Sequence, residues 1–151
     1  MLYPPLTATI TRPANTTAYT AGDAIGQAVG TAVLEFSNAP SKGKIISATL
    51  RIDASAVPSG MAAMRLHLYK SAPTAILDNA AWDLVAGDRS AYLGYIELTP
   101  ADLGSTLWAQ SDSQAKRIST VNGKLYGILQ TVGAYTPASG TVHDIVLNPE
   151  I

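Results

Sequence analysis

The chain has 151 residues, 14% charged and 47% hydrophobic, with a formal net charge of −1 and no cysteine. That length fits one domain able to bury its own core, and the missing cysteine excludes disulfides and thiolate metal sites. Charge well under the usual level of about a quarter of residues, with Lys116-Arg117 as the only adjacent basic pair, argues against a nucleic-acid partner.

Frequent Thr, with 9 Pro and 12 Gly as punctuation, predicts many short strands separated by turns. Leu6-Thr7-Ala8-Thr9-Ile10-Thr11 alternates apolar and polar residues until Arg12-Pro13 stops it. Thr31–Phe36 follows, ended by Asn38-Ala39-Pro40. The clearest strand is Ile46–Asp53, which predicts Ile46, Ala48, Leu50 and Ile52 facing a core and Thr49 and Arg51 facing out. Met64–Lys70 repeats the pattern after a Pro58-Ser59-Gly60 turn, with Met64, Leu66 and Leu68 inward. Asp78–Val85 places capping residues before Ala-rich sequence and reads as one or two helical turns within a loop. Strand character returns in Tyr92–Leu98 and is expected again around Thr106–Gln110, Lys124–Val132 and Thr141–Leu147. Asn122-Gly123 is a strong hairpin signal between Ile118–Val121 and Lys124–Tyr126.

Some eight to ten strands without a long helix predict an all-β fold, a two-sheet antiparallel sandwich. A jelly roll is the first choice and an immunoglobulin-like sandwich the second. Residues 1–151 read as one domain, with residues 1–26 as an extended N-terminal arm or peripheral segment. The opening Met1-Leu2-Tyr3-Pro4-Pro5 lacks the pattern of a secretory signal, and the chain reads as complete and made in a cytoplasm. No stretch approaches the ~20 apolar residues of a membrane span, so no membrane partner is expected. Asn15-Thr16-Thr17 fits the glycosylation sequon, a match read as accidental without a secretion signal.

Chemistry-bearing residues are sparse. His67 and His143 are the two histidines, and both read as surface residues of strands. A hydrolase triad needs a histidine, a carboxylate and a nucleophile together, and no Gly-x-Ser-x-Gly elbow occurs. Asp78, Asp83 and Asp88 are equally spaced and could offer oxygen ligands to calcium, but the alternate-position pattern of a calcium loop is absent. Helix capping by Asp78 and turn chemistry by Asp88 explain them as well. No catalytic residue, metal or cofactor is therefore predicted. The seven Tyr and two Trp can serve as core, as sugar platforms or as interface anchors. Tyr3, Tyr19 and Trp82 are the candidate partner-binding residues, although Trp82 also suits a plug at one end of the sandwich.

Four segments taken together carry a resemblance: Ile10–Gly26, Met64–Tyr69, Asp78–Leu84 and Tyr92–Ile96. They resemble a family of small structural proteins of tailed bacteriophages. The resemblance implies a non-enzymatic virion protein, most plausibly a capsid decoration (cement) protein. Such a protein is made in the host bacterial cytoplasm and placed on the capsid exterior, with the major capsid protein as its partner. It also implies self-association as a trimer or dimer on capsid symmetry axes, and the low charge independently suggests association. The alternatives are a tail, baseplate or fibre-associated module, a carbohydrate-binding module and, least favoured, a hydrolase.

Overall fold

Alternating Thr and aliphatic residues give eleven strands among the described residues, which in the computed structural model are 3–112 and 114–151. They are β1 (Leu6–Thr11), β2 (Ala24–Ile25), β3 (Leu34–Phe36), β4 (Lys42–Ile52), β5 (Met64–Tyr69), β6 (Tyr92–Leu98), β7 (Ala101–Asp102), β8 (Leu107–Ser111), β9 (Lys116–Ser119), β10 (Leu125–Thr131) and β11 (Val142–Glu150). Every pairing is antiparallel. The first sheet runs β1-β11-β4-β8-β7, with β9 also on β4. The second runs β2-β10-β5-β6, with β3 also on β10. β8 and β9 pair with successive stretches of β4, and β2 and β3 with successive stretches of β10, so each couple fills one lane. The chain is all-β, with two antiparallel sheets packed as a sandwich.

The core lies between the sheets. Ala48, Leu50 and Ile52 face inward against Met64, Leu66 and Leu68, as their alternation predicts. Ile46 departs from its predicted place: it is half-buried while Ile45 is fully buried. The β4–β11 register shifts where Ser47 opposes Asn148 and Ile45 opposes Pro149, so Ile46 is the extra residue of a bulge. Phase inverts there, beside a proline that has no N–H to give the ladder.

Three further expectations are corrected. Asn122 and Gly123 do make a turn, with φ of 57° and 70° and Lys124 N–H donating to the Val121 carbonyl. The flanking strands do not form a hairpin, because β9 belongs to the first sheet and β10 to the second. Asp78–Val85 is not helical, and the only helical turn among the described residues is a 3-10 turn at Ala86–Asp88. Backbone groups of the expected helix are taken by strand-like bonds instead: Asn79 N–H to Ala24 O, Ala24 N–H to Ala80 O and Trp82 N–H to Gly22 O. Finally, residues 3–25 are stitched into the body rather than extended as an arm. β1 pairs along its whole length with β11, Tyr3 N–H donates to Pro149 O, and Tyr19 bridges to Tyr135.

At one end of the sandwich the β4–β5 and β10–β11 segments press together through glycines. Gly60 has φ +89°, and a Cβ there would lie 2.2 Å from the Ala134 carbonyl oxygen. Gly60→Ala is expected to destabilise the protein by at least about 1–2 kcal/mol, the cost of a left-handed backbone before any steric clash is added. Urea denaturation of the variant measures it.

Candidate functional site

Two clusters of polar and aromatic side chains stand out. One is an aromatic face on the outer side of the second sheet. Arg65, His67 and Tyr69 alternate with the core residues of β5 and therefore point away from the core. The long β5–β6 segment folds back over this face, where Ile76, Trp82 and Leu84 pack on Tyr69 and Ile128 as a small second core. Trp82 stacks on His67 with ring centroids 3.6 Å apart and planes 10° from parallel, and its indole N–H donates to the Tyr69 hydroxyl. The Tyr69 phenol is raised above its ordinary pKa, mainly by burial.

The hydrogen bonds around His67 fix its protonation. The Gln130 amide donates to Gly22 O, which leaves Gln130 Oε1 as an acceptor 2.7 Å from His67 Nε2. Nε2 therefore carries the proton, and Nδ1 accepts from the Tyr92 hydroxyl at 2.8 Å. Burial, followed by the nearby Arg65 charge, outweighs the Gln130 bond and lowers the His67 pKa to about 4. Burial also pushes Tyr92 up to about 12. At neutral pH His67 is thus an uncharged packing residue with both nitrogens engaged. Around it the face opens to solvent: Tyr95 is 41% exposed, with the Arg65 guanidinium 4.8 Å over its ring and Glu97 bonded to that guanidinium.

Trp82→Ala is expected to uncover this imidazole, so that the His67 pKa rises from about 4 toward its ordinary 6.5. An NMR pH titration of the ring nitrogens reads the change.

The second cluster is interior. Arg12, its side chain fully buried, donates through Nε to the Tyr19 hydroxyl and through Nη1 to the Ala138 carbonyl. Tyr19 donates to Asp78 Oδ1, which also accepts from Gly26 N–H, and Asp78 Oδ2 lies 3.8 Å from Arg12 Nη2. Burial, then the bond to Asp78, holds the Tyr19 phenol far above its usual range. This network ties the β1–β2, β2–β3 and β5–β6 segments to one another.

The three predicted anchors are therefore scattered. Tyr3 is half-buried at the β1–β11 edge and Tyr19 is interior, at 2% exposure, so Tyr19 is not a surface anchor. Trp82 is half-buried and belongs to the aromatic face, rather than plugging an end of the sandwich. The expected surface positions of both histidines are overturned: His67 is 2% and His143 1% exposed. Asp78, Asp83 and Asp88 do not converge. Asp88 accepts from the Thr74 backbone and hydroxyl, and no group of three or more acidic or histidine side chains among the described residues could hold a metal ion. Sequence reading also missed a basic edge, where the β4–β9 register sets Lys44 beside Arg117, with Lys42 two residues away on the same face. Lys44 is paired there with Glu150. No protein-family model matches the chain, and a search of curated proteins finds no match.

Proposed function

We propose that this chain is a non-enzymatic structural protein of a tailed-phage particle, a capsid decoration protein that binds the major capsid protein on the capsid exterior. The observation that carries the reading is a set of three exposed aliphatic side chains at one end of a weakly charged sandwich. The β4–β5, β7–β8 and β10–β11 segments lie at that end, because Ile52 is level with Leu107 and His143, and Met64 with Leu98 and Thr131. They expose Val57, Leu103 and Val132, with Leu103 at 65%. Aliphatic side chains held at the tips of connections on a rigid body suit repeated docking on a lattice. The outer face of the first sheet is mainly polar, with Thr7, Thr9, Thr49, Gln110 and Asn148 alternating with core residues beside half-buried Trp108 and the Arg51–Asp144 ion pair.

Strand order supports the jelly-roll part of the reading. With shared lanes counted once and the two-residue edge strand β7 set aside, the sheets read first-eighth-third-sixth and second-seventh-fourth-fifth. This is the interleaved winding of a double Greek key. Self-association as a dimer or trimer belongs to the same proposal, and light scattering of the purified protein tests it.

Quantitative mass spectrometry of purified particles is the deciding experiment. Copies on the scale of the capsid lattice support decoration, whereas copies on the scale of a tail or baseplate overturn it. Attachment is expected to survive high salt, because scattered exposed ion pairs add only about 0–1 kcal/mol each. Leu103→Asp with Val57→Asp is expected to abolish retention on washed particles, while Lys116→Ala with Arg117→Ala leaves most of it. The reverse result would place attachment on the basic edge.

A second reading rests on a different observation. Half-buried Trp82 and Tyr92 and exposed Tyr95 stand beside Arg65, Glu97 and Gln130 on one sheet face, an arrangement suited to stacking on a sugar. Glycan-array binding lost in Tyr95→Ala would favour it.

A further inference from the structure

A cavity of about 430 Å³ opens at the same end of the sandwich, between the β4–β5 and β10–β11 segments. Its walls are largely apolar, with Ile52, Ala54, Pro58, Met61 and Pro137 among them. Three buried polar residues line it as well: Tyr135, 5% exposed, His143, 1% exposed, and Thr141, whose hydroxyl donates to the Ala138 carbonyl.

Tyr135 Oη, His143 Nδ1 and His143 Nε2 are buried, and none has a hydrogen-bond partner among the described residues. The Thr141 backbone lies near enough to the His143 ring to raise its pKa slightly, but no bond of good geometry forms. Buried polar atoms are nearly always bonded, and leaving one unpaired costs about 1–3 kcal/mol. Elsewhere the interior follows that rule: Arg12, Tyr19, His67 and Thr131 all have partners. The exceptions are thus three atoms on two residues that line one cavity. Close approach at Gly60 and Gly133, where an added Cβ would meet the facing backbone, brings the two flanking segments together beside it.

Charge narrows the guest. The Arg12 guanidinium acts on His143 from within the fold, which disfavours a cation, and exposed Asp53 stands at the lining's solvent side, which disfavours an anion. Burial keeps the His143 imidazole neutral, with a pKa lowered to about 4, so the ring offers one donor and one acceptor. The Tyr135 hydroxyl also offers one of each. A hydroxyl on an apolar ring meets both requirements, whereas a sugar brings more hydroxyls than two residues can satisfy.

We propose that this cavity binds a neutral phenol, its ring among the aliphatic walls and its hydroxyl bonded to His143 and Tyr135. The phenol can be a free small molecule or the tyrosine side chain of a protein partner. The inference does not depend on the particle reading.

The test is an NMR titration of the folded full chain with p-cresol, with toluene as the same shape lacking the hydroxyl. Saturable shifts at His143, Tyr135 and Met61 are expected, with p-cresol binding about tenfold more tightly than toluene, the worth of about one hydrogen bond. Tyr135→Phe is expected to remove most of that preference and leave toluene binding unchanged. N-acetyltyrosinamide binding as well as p-cresol identifies a protein tyrosine as the source, and p-cresol binding alone identifies a free small molecule. Absence of saturation up to the solubility limit, equal affinity for p-cresol and toluene, or shifts confined to other residues overturns the proposal. The ligand comparison on the wild-type chain stands even if Tyr135→Phe folds poorly.

Discussion

Asp78→Ala is expected to destabilise the protein by about 3–5 kcal/mol, the usual cost of stripping one partner from a buried ion pair. Its carboxylate is the hub on which Arg12, Tyr19 and Gly26 converge. Without it the Arg12 charge stays inside the fold, since the Arg12 side chain has no exposed surface to turn toward water. Arg12→Met combined with Asp78→Ala is expected to recover part of the loss, because it removes the stranded charge as well. Guanidinium denaturation of the two single variants and the double variant measures the coupling. A loss below about 1 kcal/mol in Asp78→Ala would class the pair with ordinary surface salt bridges.

Acid is expected to act nearly as strongly, through the two histidines. Both have native pKa values lowered from 6.5 to about 4, in each case mainly by burial. Between those pH values the unfolded chain binds protons that the native chain refuses. Stability is therefore complete above pH 6.5, falls as the pH drops toward 4, and levels off below that as the native histidines also become charged. The gap corresponds to on the order of 3 kcal/mol for each histidine, and together they approach the total stability of about 5–15 kcal/mol typical of a domain. His67→Gln and His143→Leu should each remove about half of the pH dependence in this window. Denaturant midpoints recorded across the window by circular dichroism check this. A flat profile in the wild-type chain would show that the two rings are not held neutral.

The strands were largely legible because alternation reports which side of a sheet meets the core. Leu6–Thr11 and Tyr92–Leu98 form at their predicted limits. The same logic misplaced both histidines. His67 lies out of phase with Leu66 and Leu68, hence on the outer face, but that face is roofed by a segment centred fifteen residues further on, and no local pattern announces the roof. His143 was readable: it shares its phase with Ile145 and Leu147, both buried, so it belongs to the inner face of β11. Ile46 was lost because a bulge inverts the phase, and bulges are set by the partner strand, here by Pro149. The Arg12–Tyr19–Asp78 network joins three separate connections, and sequence spacing carries no signal for side chains that meet in that way.

The place of β11 has a consequence for how the protein comes into being. β11 lies between β1 and β4 and is the lane through which those two strands are joined. Synthesis delivers β1 and β4 long before β11. Until it arrives, the first sheet holds a slot one strand wide, bordered on both sides by unpaired N–H and C=O groups. Folding is therefore deferred until the last strand leaves the ribosome, and its rate is set by a closure that spans most of the chain. In the meantime the slot can accept a strand from a neighbouring molecule as readily as its own. A crowded nascent pool is thus the setting in which strand-exchanged copies would form.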